Sequence, residues 1–395
     1  MNNNSIKKRI LFISHRVGLS GSENSLYTLL KNIDSNKLLP IVVVPGDGPL
    51  VEKLSRLSIM VYTTQQGQWV GHLGAILGFI FHFPRRFIKM YKFVKNNRIE
   101  LIYSNTELSP LGALVAYVQG IPHVWHMRMY LNHIPDLGLK LLPARLLFYI
   151  IIKLSKYIIA NSKIVASQFK GLNTNGKLFV IYNGVDLNNR PLPDVQKLIS
   201  WEDGKSISIG EIEEKIISVV GYIGPYRCQE DAINALPIIV KRTKSIKLVI
   251  IGDADQFYLR YLIRLTENLG IRQHVFFSKP IKDILSFLSR CYLVLIPAQV
   301  GAYGRVAIEA MSQGIPVIGS DIQGSEEVII DGVTGYLHRF SDYEDIAEKC
   351  TYLLDMPHMR DEMGMNAKKF FEERFTAEIY TKEVENVLLK ALYDH

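Results

Sequence analysis

Apolar runs of strand length recur along the whole chain, and segments long enough for helices fill the intervals. That alternation is the signature of parallel α/β sheets. In the first half the runs fall near Ile10–Ser14, Ile41–Val44, Leu101–Ser104, His123–His126, Tyr157–Ala160 and Leu178–Ile181. In the second half they fall near Ile216–Val220, Lys247–Ile251, Val275–Phe277, Tyr292–Ile296 and Pro316–Ile318. Two Rossmann-like domains are therefore expected, over residues 1–186 and 216–372. Residues 187–215, with Asn188, Asn189, Pro191 and Pro193 followed by a charged stretch, read as the linker and the start of the second domain. Open sheets of this kind take ligands beyond the carboxyl ends of their strands, so two of them facing across a cleft would bring two substrates together.

A chain of 395 residues is long enough for two cores, and 48% hydrophobic with 21% charged residues is a globular composition. Disorder is expected only at Met1–Ser5. The three cysteines, Cys228, Cys291 and Cys350, stand far apart with no Cys/His clustering, which points away from a disulfide framework or a zinc site and towards a reducing cytosol. The apolar run Ile10–Ile13 is too short for a secretory h-region, so the protein is expected to stay where it is made.

The formal charge of +8 is unevenly divided. Residues 1–190 hold 23 Lys and Arg against 8 Asp and Glu, a net of +15, whereas residues 191–395 hold 23 against 30, a net of −7. A basic half of this kind could meet nucleic acid, anionic lipid or phosphorylated substrates. No nucleic-acid motif accompanies it, so lipid and phosphate rank first and no nucleic-acid partner is expected.

The most informative motif spans residues 297–319. The strand Tyr292–Ile296 leads into a turn loosened by Gly301 and Gly304, and Arg305–Ser312 reads as a helix. The free N–H groups and dipole at such a helix start favour phosphate, and the bare backbone at Gly304 lets a pyrophosphate approach. Glu309, one turn inside, could accept hydrogen bonds from ribose hydroxyls. On local pattern alone, an ordinary strand–turn–helix with a surface glutamate is the slightly favoured reading. Gly18-Leu-Ser-Gly-Ser-Glu23 repeats the arrangement after the first strand, with Gly18 and Gly21 open to close approach or simply a turn.

The 297–319 run resembles the signature of the retaining GT-B glycosyltransferases of family 4, which includes sucrose synthase and many bacterial polysaccharide enzymes. Other runs resemble the family in the expected order: Ser104-Asn-Thr106, Ile121–Arg128, Val219–Asp231 and Gly324–Gly332. The resemblance implies the GT-B fold, a last helix over residues 373–395 that crosses back to the N-terminal domain, and a nucleoside diphosphate sugar donor. It implies donor contacts from Gly18, Gly21, Arg128, Gly224, Tyr303, Gly304, Arg305 and Glu327, and catalytic roles for His126, Arg227 and Glu309. Arg227 stands where the family places a lysine on the donor diphosphate, and it can still pair with phosphate as a planar fork. Arg128 could hold a phosphate bidentately, and His126, just past a strand end, could position the donor sugar or the acceptor.

The chain departs from the family at two positions. Gly301 replaces the first signature glutamate, and Tyr222 replaces an arginine of the diphosphate site. Two readings stay open: an active hexosyltransferase, or a GT-B protein that binds a nucleotide or partner without turnover. Asp253-Ala-Asp255 is the only Asp-x-Asp string and reads as a solvated loop, so no obligatory metal and no cofactor are expected.

Residues 69–95 combine an apolar stretch, shorter than the ~20 residues of a spanning helix, with a basic helix. From Pro84 onward Arg85, Lys89 and Lys92 share one face, and Phe87, Met90, Tyr91 and Val94 share another. Such a helix reads as a monotopic anchor on anionic lipid, or as a crossover helix packed on the sheet. The basic half-charge favours the anchor. The sequence therefore predicts a cytoplasmic enzyme, peripheral on the inner face of the plasma membrane. Its acceptor would be a lipid-linked glycan in bacterial capsule or lipopolysaccharide synthesis.

Overall fold

The computed structural model describes residues 7–71, 73–131, 139–140, 142–187, 197–299, 304–322 and 324–394. The chain divides into two compact units, residues 1–184 with 377–395, and residues 185–376.

The first unit is built on strands β1 (Lys8–Ile13), β2 (Leu38–Val44), β3 (Met60–Thr63), β5 (Leu101–Ser104), β6 (His123–Met127), β8 (Tyr157–Ala160) and β9 (Leu178–Val180); β4 (Val70–Gly71) and β7 (Leu139–Lys140) form a separate antiparallel pair. The seven strands lie in the order β3-β2-β1-β5-β6-β8-β9, and every pairing is parallel. β1 shows why Ile10–Ile13 is an unbroken apolar run. Ile10 and Phe12 pack with Leu26 and Leu29 of the helix Gly21–Asn32 and with Val384 and Leu388 of the helix Ala377–Tyr393, while Leu11 and Ile13 pack with Met90 and Val94 of the helix Leu73–Asn96. A parallel strand covered on both faces has no polar side to show.

The second unit begins with the antiparallel hairpin β10 (Lys197–Ile199) and β11 (Ser206–Ser208), within the stretch expected to be linker. The hairpin joins the unit through a Ser200–Ser278 bridge, and Trp201 packs on the core with its indole N–H donating to the Gly252 carbonyl at 2.9 Å. The main sheet comprises β12 (Lys215–Val220), β13 (Ile246–Ile251), β14 (Val275–Ser278), β15 (Cys291–Ile296), β16 (Val317–Ser320) and β17 (Gly335–His338), in the order β14-β13-β12-β15-β16-β17 and again parallel throughout. In each sheet the order reverses at one place, between β1 and β5 in the first and between β12 and β15 in the second. Those are the switch points at which doubly wound sheets take ligands.

The helix that follows β15, Arg305–Ser312, is braced from behind by the helix Pro357–Arg374. The approach is backbone to backbone: a Cβ added at Gly364 would lie 2.2 Å from the Gly314 carbonyl oxygen. Gly364→Ala should therefore destabilise the protein by about 1–3 kcal/mol, read as a lowered midpoint in urea unfolding.

The basic helix Leu73–Asn96 corrects the anchor expectation in one respect. Met90 and Val94 are buried and Phe87 and Tyr91 pack against the same cluster, so the apolar face assigned to lipid is the one that covers the sheet. Arg85, Lys89 and Lys92 are exposed.

Burial also sets a pH response in the first unit. It pulls His123 down to about 3 and His15 to about 4 from an ordinary 6.5, and together with the Arg128 charge it pulls His126 well down. The folded state thus binds fewer protons than the unfolded chain below pH 6.5, so stability present at neutral pH falls as pH drops from 6.5 towards 4. Burial raises Glu107 to about 7, which acts in the opposite sense between its ordinary 4.5 and 7. Burial raises Glu383 in the same sense, while Asp34 is lowered by its hydrogen bond from Lys37. With three depressed histidines against two raised carboxyls, calorimetry should record a falling midpoint of the first unit across that acid window. A flat profile would contradict the neutral histidines.

Candidate functional site

In the first unit the carboxyl ends of β5, β6 and β9 meet around one side chain. Arg128, one residue beyond β6, is 5% exposed. Its Nε donates to Asn105 Oδ1 at 2.9 Å, Nη1 to Asn183 Oδ1 at 2.5 Å, and Nη2 to the Tyr380 hydroxyl at 3.0 Å. Nη2 also lies 3.5 Å from the Tyr103 hydroxyl and 3.4 Å from His126 Nδ1. A guanidinium only donates, so Nδ1 is an acceptor, Tyr103 donates its hydroxyl proton to it, and the ring proton sits on Nε2. That buried Nε2 has no partner among the described residues.

Beside this cluster Glu107 is fully buried, and its Oε2 accepts the Arg128 backbone N–H at 3.0 Å. Its Oε1 has no partner among the described residues. On the β1 side, Thr106 Oγ1 is 3.0 Å from His15 Nδ1, and Glu23 is buried with hydroxyl donors from Ser20 and Ser22. Gly18 and Gly21 are exposed, and a Cβ at either would meet nothing within 4 Å.

In the second unit a cavity opens at the carboxyl ends of β15 and β16. It is lined by Arg227, Ala298, Gly304, Ser320, Gly324 and Ser325 among others. Arg227 is exposed, and no acceptor among the described residues engages its guanidinium. It reaches this place on a short turn, Pro225–Arg227, after β12; Gly224 starts the turn, and a Cβ there would meet the Tyr222 ring at 2.7 Å. The loop ahead of it is fixed by a close backbone approach, since a Cβ on Gly252 would fall 1.8 Å from the Gly221 carbonyl oxygen. Gly304 begins the helix Arg305–Ser312, with only Ala307 Cβ near a side chain placed there, at 3.4 Å. Burial of Glu309 to 7% exposure is accompanied by a 2.7 Å ion pair from Arg305 Nε to its Oε1.

The structure thus brings Arg227 and Gly304 to one cavity and places Glu309 one turn inside the helix that opens there. It groups His126 and Arg128 in the first unit. It changes how three expected site residues are occupied. The Arg128 fork is taken up by protein acceptors instead of standing free for phosphate. His126 is fully buried. Arg305 is tied to Glu309. Glu327 lies in the 3₁₀ turn Ser325–Glu327 next to the cavity residues Gly324 and Ser325, is itself half-buried, and does not line the cavity. Tyr303 and Gly301 lie outside the described residues. Asp255 caps the helix Gln256–Asn268, accepting from Phe257 and Tyr258 backbone N–H groups.

Several residues of the first cluster escaped the sequence reading. Glu107 directly follows Ser104-Asn-Thr106, and a carboxylate three residues past a buried strand was the available signal. Asn183 lies three residues beyond β9, and Tyr380 carries no local signal.

Two family descriptions match the chain in succession: Glycosyltransferase Family 4 over residues 19–189 and Glycosyl transferases group 1 over residues 205–370. The N-acetyl-alpha-D-glucosaminyl L-malate synthase of Bacillus anthracis is 28% identical over 56% of this chain and 55% of that protein. The capsular polysaccharide biosynthesis glycosyltransferase CapM of Staphylococcus aureus is 28% identical over 43% of this chain and 45% of that one. The chain thus matches about half the length of these curated relatives. Among solved structures, Anabaena HepE in complex with UDP and glucose superposes with a TM-score of 0.77 at 22% identity, covering 97% of this chain and 100% of that one, and so shares its fold. With two parallel doubly wound sheets and both family descriptions in sequence, the chain belongs to the GT-B glycosyltransferases of the family 4 type.

Proposed function

We propose that the protein is a retaining glycosyltransferase that moves a hexose from a nucleoside diphosphate sugar to a lipid-linked bacterial surface glycan, working on the inner face of the plasma membrane. The observation that carries the donor half is the cavity in which the unengaged Arg227 guanidinium and the start of the helix Arg305–Ser312 converge. A fixed cation with free helix N–H groups suits a diphosphate, and more so as its charge grows on departure. HepE structures with UDP and with UDP-glucose make a uridine nucleotide the first donor to try.

In this reading Arg227 and the backbone at Gly304 hold the diphosphate, and Glu309, oriented by Arg305 through Oε1, receives a ribose hydroxyl on Oε2. The leaving phosphate oxygen takes the acceptor's proton on the same face of the sugar as the glycosidic bond breaks and the new one forms. His126 and Arg128 act as positioning residues that fix the strand ends of the first unit. CapM, a capsular enzyme by description, and the basic first half support the glycan acceptor and the membrane. No helix among the described residues is long and apolar enough to cross a membrane. A second reading, nucleotide binding without turnover, is favoured by Tyr222, which is 52% exposed and neutral where the family carries an arginine.

A thermal-shift screen against UDP, GDP and their sugars tests the donor site, because a ligand at 100 times its dissociation constant adds about 2.7 kcal/mol. A shift with one sugar nucleotide is expected, and it should shrink in Arg227→Ala and Glu309→Ala. Transfer by Arg227→Ala should drop by about a hundredfold or more; unchanged transfer would refute the assignment. Binding without transfer to any lipid-linked acceptor would leave the second reading in place. Tyr380→Phe should lower stability by about 1.5–3 kcal/mol through the lost Arg128 contact while leaving the UDP shift intact. A lost UDP shift in a folded Tyr380→Phe protein would count against a positioning role confined to the first unit.

A further inference from the structure

A second cavity, of about 230 Å³, opens in the first unit between the helices Leu73–Asn96, Leu111–Gln119 and Ala144–Leu154. Every residue that lines it is apolar, including Trp69, Phe79, Phe83, Leu114, Ile150 and Leu154. No polar group there could orient a sugar, a nucleotide or a peptide backbone. A dry cavity of this composition suits hydrocarbon.

Its surroundings are unusual for a water-facing surface. On the helix Leu73–Asn96, Leu77 is 43% exposed, Ile80 47% and Phe81 77%; on the helix Ala144–Leu154, Leu146 is 45% exposed and Tyr149 56%. The three helices carry seven Lys and Arg residues, Lys89, Lys92 and Lys153 among them, and no Asp or Glu. Exposed apolar side chains mark an interaction surface, and cations without a single carboxylate match an anionic partner. A bilayer bearing phosphate headgroups meets both demands at once.

The cavity also adjoins the polar cluster of the same unit. Trp69 donates its indole N–H to the Glu107 carbonyl oxygen at 2.7 Å and stacks on Trp125 with ring centroids 5.9 Å apart. One wall of the apolar cavity is thus hydrogen-bonded to the loop that carries the buried Glu107.

We infer that this cavity receives one hydrocarbon tail of a phosphate-bearing bilayer lipid, so that the face formed by the three helices docks on an anionic membrane with a chain drawn into the protein. The inference deepens the acceptor half of the transferase reading and rests on it. It places lipid contact on exposed residues of the first half of the helix Leu73–Asn96 and on the helix Ala144–Leu154, instead of on the sheet-covering face of Met90 and Val94.

Trp69 supplies the probe. The full-length protein is mixed with phosphatidylglycerol vesicles, and separately with phosphatidylcholine vesicles, both brominated on the acyl chains, and indole fluorescence and co-flotation are read together. Phosphatidylglycerol should quench the wild-type protein, phosphatidylcholine should not, and Trp69→Phe should lose most of the quenching while still floating. Ile150→Phe, which fills the cavity without altering charge, should do the same and guards against a folding defect in the first variant. Arg145→Gln and Lys153→Gln, on the helix Ala144–Leu154, should each weaken vesicle binding about fivefold. Flotation with equal quenching in wild type and Trp69→Phe would mean surface adsorption alone and overturn the cavity, as would absence of flotation with anionic vesicles. Concentration-dependent self-association that hides Trp69 from aqueous quencher without lipid would assign the face to a second copy instead. Donor binding is read in the other unit. A protein that is quenched but never transfers sugar would sink the transferase and leave the lipid cavity standing, and the converse result would do the reverse.

Discussion

A guanidinium buried in a protein keeps its charge and must find acceptors for its N–H groups, or the unit around it does not form. Arg128 meets that demand with neutral oxygens from separate parts of the chain: Asn105 after β5, Asn183 after β9, and Tyr380 on the helix Ala377–Tyr393. The strand ends of the first sheet are thus fixed to one another by a single side chain. His126, with its proton on the ring nitrogen that faces away from Arg128, belongs to the same arrangement. The positions of Glu107 and Thr106 follow from it, because both sit on the loop that Asn105 begins.

The cavity of the second unit is held differently. With tyrosine at position 222 and Arg305 drawn onto Glu309, the positive potential in the cavity comes from Arg227 and the start of one helix. An arginine four residues ahead of a glutamate is the weaker order for a helical ion pair, and a cation in the first turn opposes the helix dipole. The pair therefore does little for the helix itself. What it does is hold the Glu309 carboxylate in one orientation, which a site requires and a helix does not.

How much of this could be read from sequence depended on what surrounds each element. Interior strands such as β1, β5 and β13 were legible because both of their faces are covered and each carries an apolar run, Ile10–Ile13, Leu101–Tyr103 and Leu248–Ile251. The edge strands β3 and β17 carry no clear pattern, since Met60–Thr63 is largely open to solvent and Gly335–His338 begins with a glycine and is fully buried only at its two ends. The hairpin Lys197–Ser208 is polar and short, and long-range contacts such as those with Phe277, Ser278 and Gly252 make it part of a domain. The chemistry of Arg128 was the hardest to foresee. A basic residue at a strand end looks like a phosphate ligand until one knows that a tyrosine 252 positions away closes over it. For the same reason Phe87, Met90, Tyr91 and Val94 read equally well as a lipid face and as a core face, and only the sheet beneath them decides.

The partition of the chain has a consequence for biosynthesis. Residues 185–376 are contiguous and form their own core, so they can fold as soon as they have been made. Residues 1–184 emerge earlier, yet their sheet lacks a covering helix, and Arg128 lacks Tyr380, until residues 377–393 are synthesised. The segment translated first is therefore completed last. During that interval its apolar surface is open to solvent, the state in which long-range contacts slow folding and aggregation competes.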